Sequence, residues 1–263
     1  MKKVAILGID LQNDFTLPTG ALFVKGADRD IENITRFIKD NGSRLSYIAL
    51  TLDSHQPIHI ATQCYWKDEA GNPPGLFTVI SAQDVEEGKW IPQYNTELAL
   101  DYLKSLEKEG EVCTIWPPHC IVGGDGWAID QKLIDTLYNW CIDEDKSYGL
   151  FYKGFHQATE HYSIFKAAVT YEDAPDTQLN QALIDKLALY DELLIVGEAA
   201  DYCVANSLKD LVVNAPFLAG KIVMLTDCMS WINNCNPKAE DIFEIAKAAG
   251  VRFMESTEYS FSY

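Results

Sequence analysis

Short, nearly continuous apolar runs separated by stretches of helical spacing restrict the fold of this sequence more than any other feature. The runs are Val4 to Ile9, Leu45 to Leu52, Val112 to Ile115, Leu150 to Tyr152, Leu193 to Val196 and Ile222 to Leu225. A run that is apolar at almost every position, rather than at every second one, fits a strand buried on both faces, as parallel sheets require. Between the runs, Ile31 to Lys39, Asp130 to Trp140, Leu179 to Leu189, Tyr202 to Val213 and Ala239 to Ala249 carry helical spacing, the last closed by Gly250. Strand alternating with helix predicts an α/β fold: a doubly wound, mostly parallel sheet of about six strands with helices on both faces. Residues 60–110 interrupt the alternation with Gly71-Asn72-Pro73-Pro74-Gly75 and a predicted helix over Thr96 to Lys108. This stretch reads as an insertion near the ligand end of the sheet, within a single domain spanning 1–263.

The chain has 263 residues, 48% of them hydrophobic, enough for a sizeable core. Its 21 Lys+Arg against 39 Asp+Glu give a net charge of −18, a field that repels nucleic-acid phosphates and anionic lipid. Neither nucleic acid nor a membrane is expected as a partner, and a small molecule is. The apolar part of Met1-Lys2-Lys3-Val4-Ala5-Ile6-Leu7-Gly8 is too short for a secretion signal, so a cytoplasmic location is expected. Seven Cys, an odd number with no CxxC pair, suggest neither a disulfide framework nor a thiolate zinc site.

In doubly wound sheets ligands bind beyond the carboxyl ends of the strands. The polar residues there are Asp10, Asp53 with His55, His119, Lys153 and Cys203. Cys203 follows the strand that ends at Val196 and stands at a predicted helix start, where free N–H groups and the helix dipole favour a thiolate and can receive an oxyanion. Asp10 and Lys153 follow two other strands, and central strands would bring all three side chains to one crevice. Taken singly, each has a bland reading as a buried thiol, a loop cap or a solvated charge. Asp53-Ser54-His55, with His59 nearby and His119 in Trp116-Pro117-Pro118-His119-Cys120, offers one carboxylate and two or three imidazoles, a set suited to zinc, iron or manganese. His156 and His161 lack such a setting and read as surface or loop residues.

The motifs together resemble the isochorismatase-like cysteine hydrolase superfamily, and within it the nicotinamidases, also called pyrazinamidases. They are Asp10-x-Gln12-x-Asp14-Phe15, Asp53-x-His55 with His59, Trp116 to Cys120 followed by Gly123 and Gly126, Lys153-Gly154 with Tyr162-Ser163-x-Phe165, and Ala199-x-Asp201-x-Cys203. The resemblance implies Asp10, Lys153 and Cys203 as a catalytic triad and Asp53, His55 and His119 as ligands of a divalent metal, zinc first and iron or manganese after it. It also implies a cis Glu198–Ala199 peptide, an oxyanion hole built from the Ala199 and Cys203 amides, and a ring pocket lined by Phe15 and Trp116 with Tyr162 as a further wall. The sequence departs from the family at Ser54 and Gln56, where Trp and Pro are usual, and at Ala200, where Thr is usual.

The implied activity is hydrolysis of nicotinamide to nicotinate and ammonia through a cysteine thioester, a step of NAD salvage, with the metal anchoring the pyridine nitrogen. The alternatives are a cysteine hydrolase of another small amide, ureide or carbamoyl compound, and a non-catalytic metal- or ligand-binding regulator. Relatives often associate, so a homo-oligomer is compatible with the resemblance.

Overall fold

The computed structural model describes residues 2–233 and 235–261. Its centre is a six-stranded sheet. In chain order the strands are β1 (Val4–Ile9), β2 (Leu45–Asp53), β3 (Gly149–Lys153), β4 (Glu192–Gly197), β5 (Ile222–Leu225) and β6 (Arg252–Met254). They lie side by side as β6-β5-β4-β1-β2-β3 and every pairing is parallel. Alternate side chains of a strand point to opposite faces, and here both faces are covered. Leu7, Ile9, Leu193, Ile195 and Met224 pack with Leu183, Leu187, Leu208 and Leu211 of the helices Gln181–Ala188 and Ala205–Asn214. On the other face Ile6, Ile48, Leu50, Leu194 and Val223 pack with Ile31, Ile34 and Ile38 of α1 (Ala27–Asn41) and Leu133 and Leu137 of the helix Gln131–Glu144.

The doubly wound architecture expected from the alternation is present, with two differences in detail. The run Val112 to Ile115 contributes no strand to the main sheet: Cys113–Thr114 pairs antiparallel with Val79–Ile80 instead. Its sheet place is taken by β6, a short, partly exposed edge strand with no apolar run to announce it. The helix Thr96–Lys108 has the expected bounds, with the Asn95 side chain accepting the Leu98 amide as its cap. With Tyr65, Trp66, Ile80 and Ile115 it forms a separate apolar cluster through Tyr102, Leu103 and Leu106. No helix among the described residues is long and apolar enough to cross a membrane.

The chain winds from β1 through β2 to β3, then crosses to the other side of β1 to enter β4. A crevice opens at such a reversal, beyond the carboxyl ends of β1 and β4. Register sets what faces it. Ile9 pairs with Gly197, so Asp10 lies next to the turn after β4. Asp53 pairs directly with Lys153 at the ends of β2 and β3.

Candidate active site

Asp10, Lys153 and Cys203 meet in that crevice, all buried. Lys153 Nζ lies 2.8 Å from Asp10 Oδ2 and 3.5 Å from Cys203 Sγ. It also lies 3.0 Å from Asp53 Oδ1, so one ammonium serves two carboxylates and the sulfur. Asp10 has a left-handed backbone (φ 51°) and is fixed from both ends by Thr51, whose hydroxyl receives the Asp10 amide (3.1 Å) and donates to Asp10 Oδ1 (2.5 Å). Gly154 (φ +85°) leaves room for this cluster, because a Cβ there would stand 2.7 Å from Asp53 Oδ1. Cys203 sits in a π-helical turn, Ala200–Val204, that precedes the helix Ala205–Asn214, rather than in the first α-turn itself. The Glu198–Ala199 peptide is cis. The flanking amides of Glu198 and Ala200 donate to Ile9 O and Ser230 O, and those of Tyr202 and Val204 to Ala199 O, so none of these bonds uses the Ala199 or Cys203 amide.

Asp53 presents its other oxygen to the imidazoles. Oδ2 is 3.5 Å from His55 Nδ1 and 3.4 Å from His119 Nε2, and the three ligand atoms fall within 4.8 Å of one another. His119 Nδ1 donates to Pro117 O at 2.8 Å, which leaves Nε2 as a lone-pair donor aimed at the cluster. His55 Nδ1 is buried without a partner among the described residues. A one-carboxylate, two-imidazole set with an orphaned ring nitrogen fits a divalent transition-metal ion. Gln12 holds Asp53 in place, accepting its amide (2.7 Å) and donating to its carbonyl (2.8 Å). Asp14 holds the His119 loop by accepting the Cys120 amide at 2.6 Å, and Gly126 is required there because a Cβ would lie 2.1 Å from the Asp14 carboxylate. Ser54, where the family carries Trp, accepts the indole N–H of Trp127.

His59 is buried beside His55, but both ring nitrogens are used: Nδ1 accepts the Ala61 amide and Nε2 donates to Thr159 O. Glu160 is the residue that sequence reading missed, 3.5 Å from His55 Nε2 and close enough to His55 and His59 to form a second three-ligand group. His161, read from sequence as a surface or loop residue, does lie in a loop but is buried rather than on the surface, its Nδ1 accepting the Gly154 amide at 3.4 Å. His156 does lie in a loop, half-buried against Tyr171.

A small pocket opens onto both clusters, lined by Phe15, Trp116, Tyr162, Cys203, Asp53 and His119. Tyr202, Leu22 and Ile232 line it as well, and none of these was singled out by sequence. The Trp116 indole donates to the Tyr162 hydroxyl (3.1 Å) and meets Tyr202 edge-on. Phe77, from the 60–110 segment, stands edge-on to Trp116 at 5.9 Å, so that segment reaches the pocket wall.

No family model matches the chain. The nicotinamidase of Saccharomyces cerevisiae is 24% identical over 250 residues, covering 95% of this chain and 98% of that protein. The nicotinamidase of Escherichia coli is 26% identical over 248 residues, covering 94% and 92%. Among solved structures, a nicotinamidase/pyrazinamidase of Acinetobacter baumannii superposes with a TM-score of 0.66 at 24% identity over 98% of each chain. The chain shares the fold of this nicotinamidase structure. The fold is also that of a Pyrococcus horikoshii pyrazinamidase solved in complex with zinc (TM-score 0.55, 18% identity, 96% and 99% covered). An N-carbamoylsarcosine amidase from Thermoplasma acidophilum shares it too (0.53, 16%, 98% and 99%).

Within the site the charges divide sharply. Burial raises the Asp10 carboxyl above its ordinary range, against the pull of Lys153. Burial also pushes the Cys203 thiol well up; Lys153 opposes this, while Asp10 and Asp53 reinforce it. Burial and the carboxylates thus favour the thiol over the thiolate that a helix start alone predicts. Burial opposes ionisation of Asp53 too, but His55, Lys153 and His119 hold it well below the usual carboxylate range. Despite its own burial, Lys153 is held firmly charged by Asp10 and Asp53.

Proposed function

We propose that this chain hydrolyses nicotinamide to nicotinate and ammonia through a thioester on Cys203. The observation that carries this reading is the position of Lys153 Nζ, in reach of Asp10, Asp53 and Cys203 at once, beside a pocket into which the imidazole cluster also opens. The two full-length relatives are nicotinamidases, which supports the substrate.

Asp10 takes the Cys203 proton as the sulfur attacks the amide carbon, a transfer suited to a raised carboxyl facing a raised thiol. Lys153 stays charged and stabilises both the carboxylate before the transfer and the sulfur after it. The oxyanion is received by the Ala199 and Cys203 amides. The protonated Asp10 returns its proton to the departing nitrogen, which leaves as ammonia. A water then gives a proton to Asp10, attacks the thioester carbonyl and releases the acid, and Asp10 restores the thiol. A divalent metal held by Asp53, His55 and His119 supplies a Lewis-acidic position for a heteroaromatic nitrogen. Phe15, Trp116 and Tyr162 hold the ring flat and exclude water. On this reading the whole chain acts as one unit, with the 60–110 segment finishing the pocket wall through Phe77, and seven free cysteines fit a reducing cytoplasm.

Ammonia release from nicotinamide by the purified protein tests the reading, with Cys203→Ala expected to abolish turnover and keep the fold. Pyrazinamide should also be cleaved, whereas benzamide, equal in shape but without a ring nitrogen, should be poor because it leaves a polar partner unpaired. Turnover of an N-carbamoyl amine but of no aromatic amide would transfer the activity to the carbamoyl-hydrolase alternative.

A further inference from the structure

Next to the turn after β4, two carboxyl groups face each other inside the protein. Glu198 ends the turn after β4 and has no exposed surface; Asp30, on the first turn of α1, is 6% exposed. The two side chains lie within hydrogen-bond reach of one another. Yet Asp30 Oδ2 and Glu198 Oε1 each lack a protein donor among the described residues. Two carboxylates in contact without a donor would repel strongly in so dry a place, and a single shared proton turns the same contact into a charge-assisted hydrogen bond.

The surroundings decide which group carries the proton. Asp30 has the positive end of α1, the Ser230 hydroxyl and the neighbouring Arg29 to favour its charge. Glu198 has Asp30 and Asp201 as charged neighbours, both acidic, and accepts the Ser230 amide at 3.2 Å on its other oxygen. Asp227, on the far side of Asp30, and Asp201 are already occupied, Asp227 by Ser256 and Asp201 by the amides of Ile232 and Asn233.

We propose that Glu198 is a positioning residue that stays protonated and donates to Asp30, and that this contact holds the Ala199 amide toward Cys203. The link runs through Ser230. Its amide donates to the Glu198 side chain, and its carbonyl accepts the Ala200 amide at 2.8 Å, so side chain and main chain on either side of Ala199 are tied to one residue. The Glu198 amide is fixed to Ile9 O at 2.8 Å, the last residue before Asp10. The proton therefore secures the spacing between an oxyanion donor and the end of β1. Gly26, just before α1, leaves room for Ser230, because a Cβ there would stand 2.5 Å from the Ser230 hydroxyl.

This inference rests on the hydrolase reading for its kinetic consequence but not for the proton itself. Glu198→Gln keeps a donor and loses the titration, whereas Glu198→Met fills similar space with no donor. With nicotinamide as substrate, Glu198→Met should lose about tenfold in kcat with KM within about twofold, a partial loss of one oxyanion donor. Glu198→Gln should restore most of that and keep its activity at alkaline pH, where ionisation of Glu198 makes the wild type fall. Infrared difference spectra of the full chain at neutral pH should show a protonated-carboxyl C=O band in wild type and in Cys203→Ala that is lost in Glu198→Gln. Equal kinetics for the Gln and Met variants, or an unchanged band in Glu198→Gln, would overturn the proposal. If the wild type does not cleave nicotinamide, the functional reading fails while the band still decides where the proton lies.

Discussion

The two halves of the site are built differently. The sulfur half stands on the sheet: Asp10 and Lys153 lie at strand ends whose register is fixed by backbone pairing, and the Lys153 ammonium pairs Asp10 together with Asp53. The imidazole half stands on loops. His55 lies two residues beyond β2, and His119, His59 and Glu160 come from connecting segments oriented by the carbonyls of Pro117 and Thr159 and by the Cys120 turn. This half keeps unmatched atoms, His55 Nδ1 and Glu160 Oε2, of the kind a bound cation satisfies. A site assembled on strands can be complete when empty; one assembled on loops completes itself with a ligand. Asp53 belongs to both, one oxygen to each.

Removing the shared cation from the sulfur half should break the contrast most severely. Lys153→Met leaves Asp10 and Asp53 buried without their counter-charge, so a loss of about 3–5 kcal/mol in unfolding free energy is expected, together with loss of turnover. Denaturant melts and ammonia release would measure both, and a stable variant would show that the half is not self-balanced. His119→Ala should do less to the fold. About one divalent ion per chain should bind more weakly by roughly tenfold or more, and KM for nicotinamide should rise, while the alkylation rate of Cys203 stays close to wild type. Elemental analysis and iodoacetamide kinetics check this, and a large change in thiol reactivity would mean that the halves are coupled through Asp53. The smallest effect should come from His161, which lies between the halves. Burial and the Lys153 ammonium depress its pKa to about 3, against an ordinary value near 6.5. Above that ordinary value both folded and unfolded chains hold it neutral. Between about 6.5 and 3 only the unfolded chain takes the proton, so stability falls as pH drops through that window. His161→Gln should flatten the dependence by up to about 1.4 kcal/mol per pH unit in pH-dependent melts, leaving the share of His59, which is depressed to about 4 for similar reasons.

What the sequence made legible follows the same division. Apolar runs declare buried strands, so the positions of Asp10 and the Cys203 turn followed from them; Lys153, expected on a central strand, instead ends the edge strand β3 and reaches the crevice from beside β2. The edge strand Arg252–Met254 escaped because a half-exposed strand needs no apolar run, and Val112 to Ile115 misled because its burial is against the cluster around Tyr102 rather than in the sheet. Glu160 and His161 carry no periodic signal at all. They lie in a loop whose path is set by bonds such as Val169 N to Thr159 Oγ1 and Gly154 N to His161 Nδ1. Their neighbour Tyr162 was visible as a motif residue, which placed the loop near the pocket but gave no reason to look two residues upstream. The upward push on the Cys203 thiol depends on burial and on carboxylates from other strands, which no local pattern shows.

The pairing of Asp53 with Lys153 also makes the enzyme its own inspector. β3 is an edge strand of alternating burial, with Leu150 and Tyr152 outward and Lys153 inward. A slip of one residue against β2 would exchange its faces, sending the ammonium to solvent and leaving Tyr152 or Gly154, neither of them a cation, beside two carboxylates. Such a molecule would be inert rather than merely slow. Turnover per folded molecule is therefore a direct assay of strand alignment at this edge, and variants of Leu150 or Tyr152 can be graded by it without any structural probe.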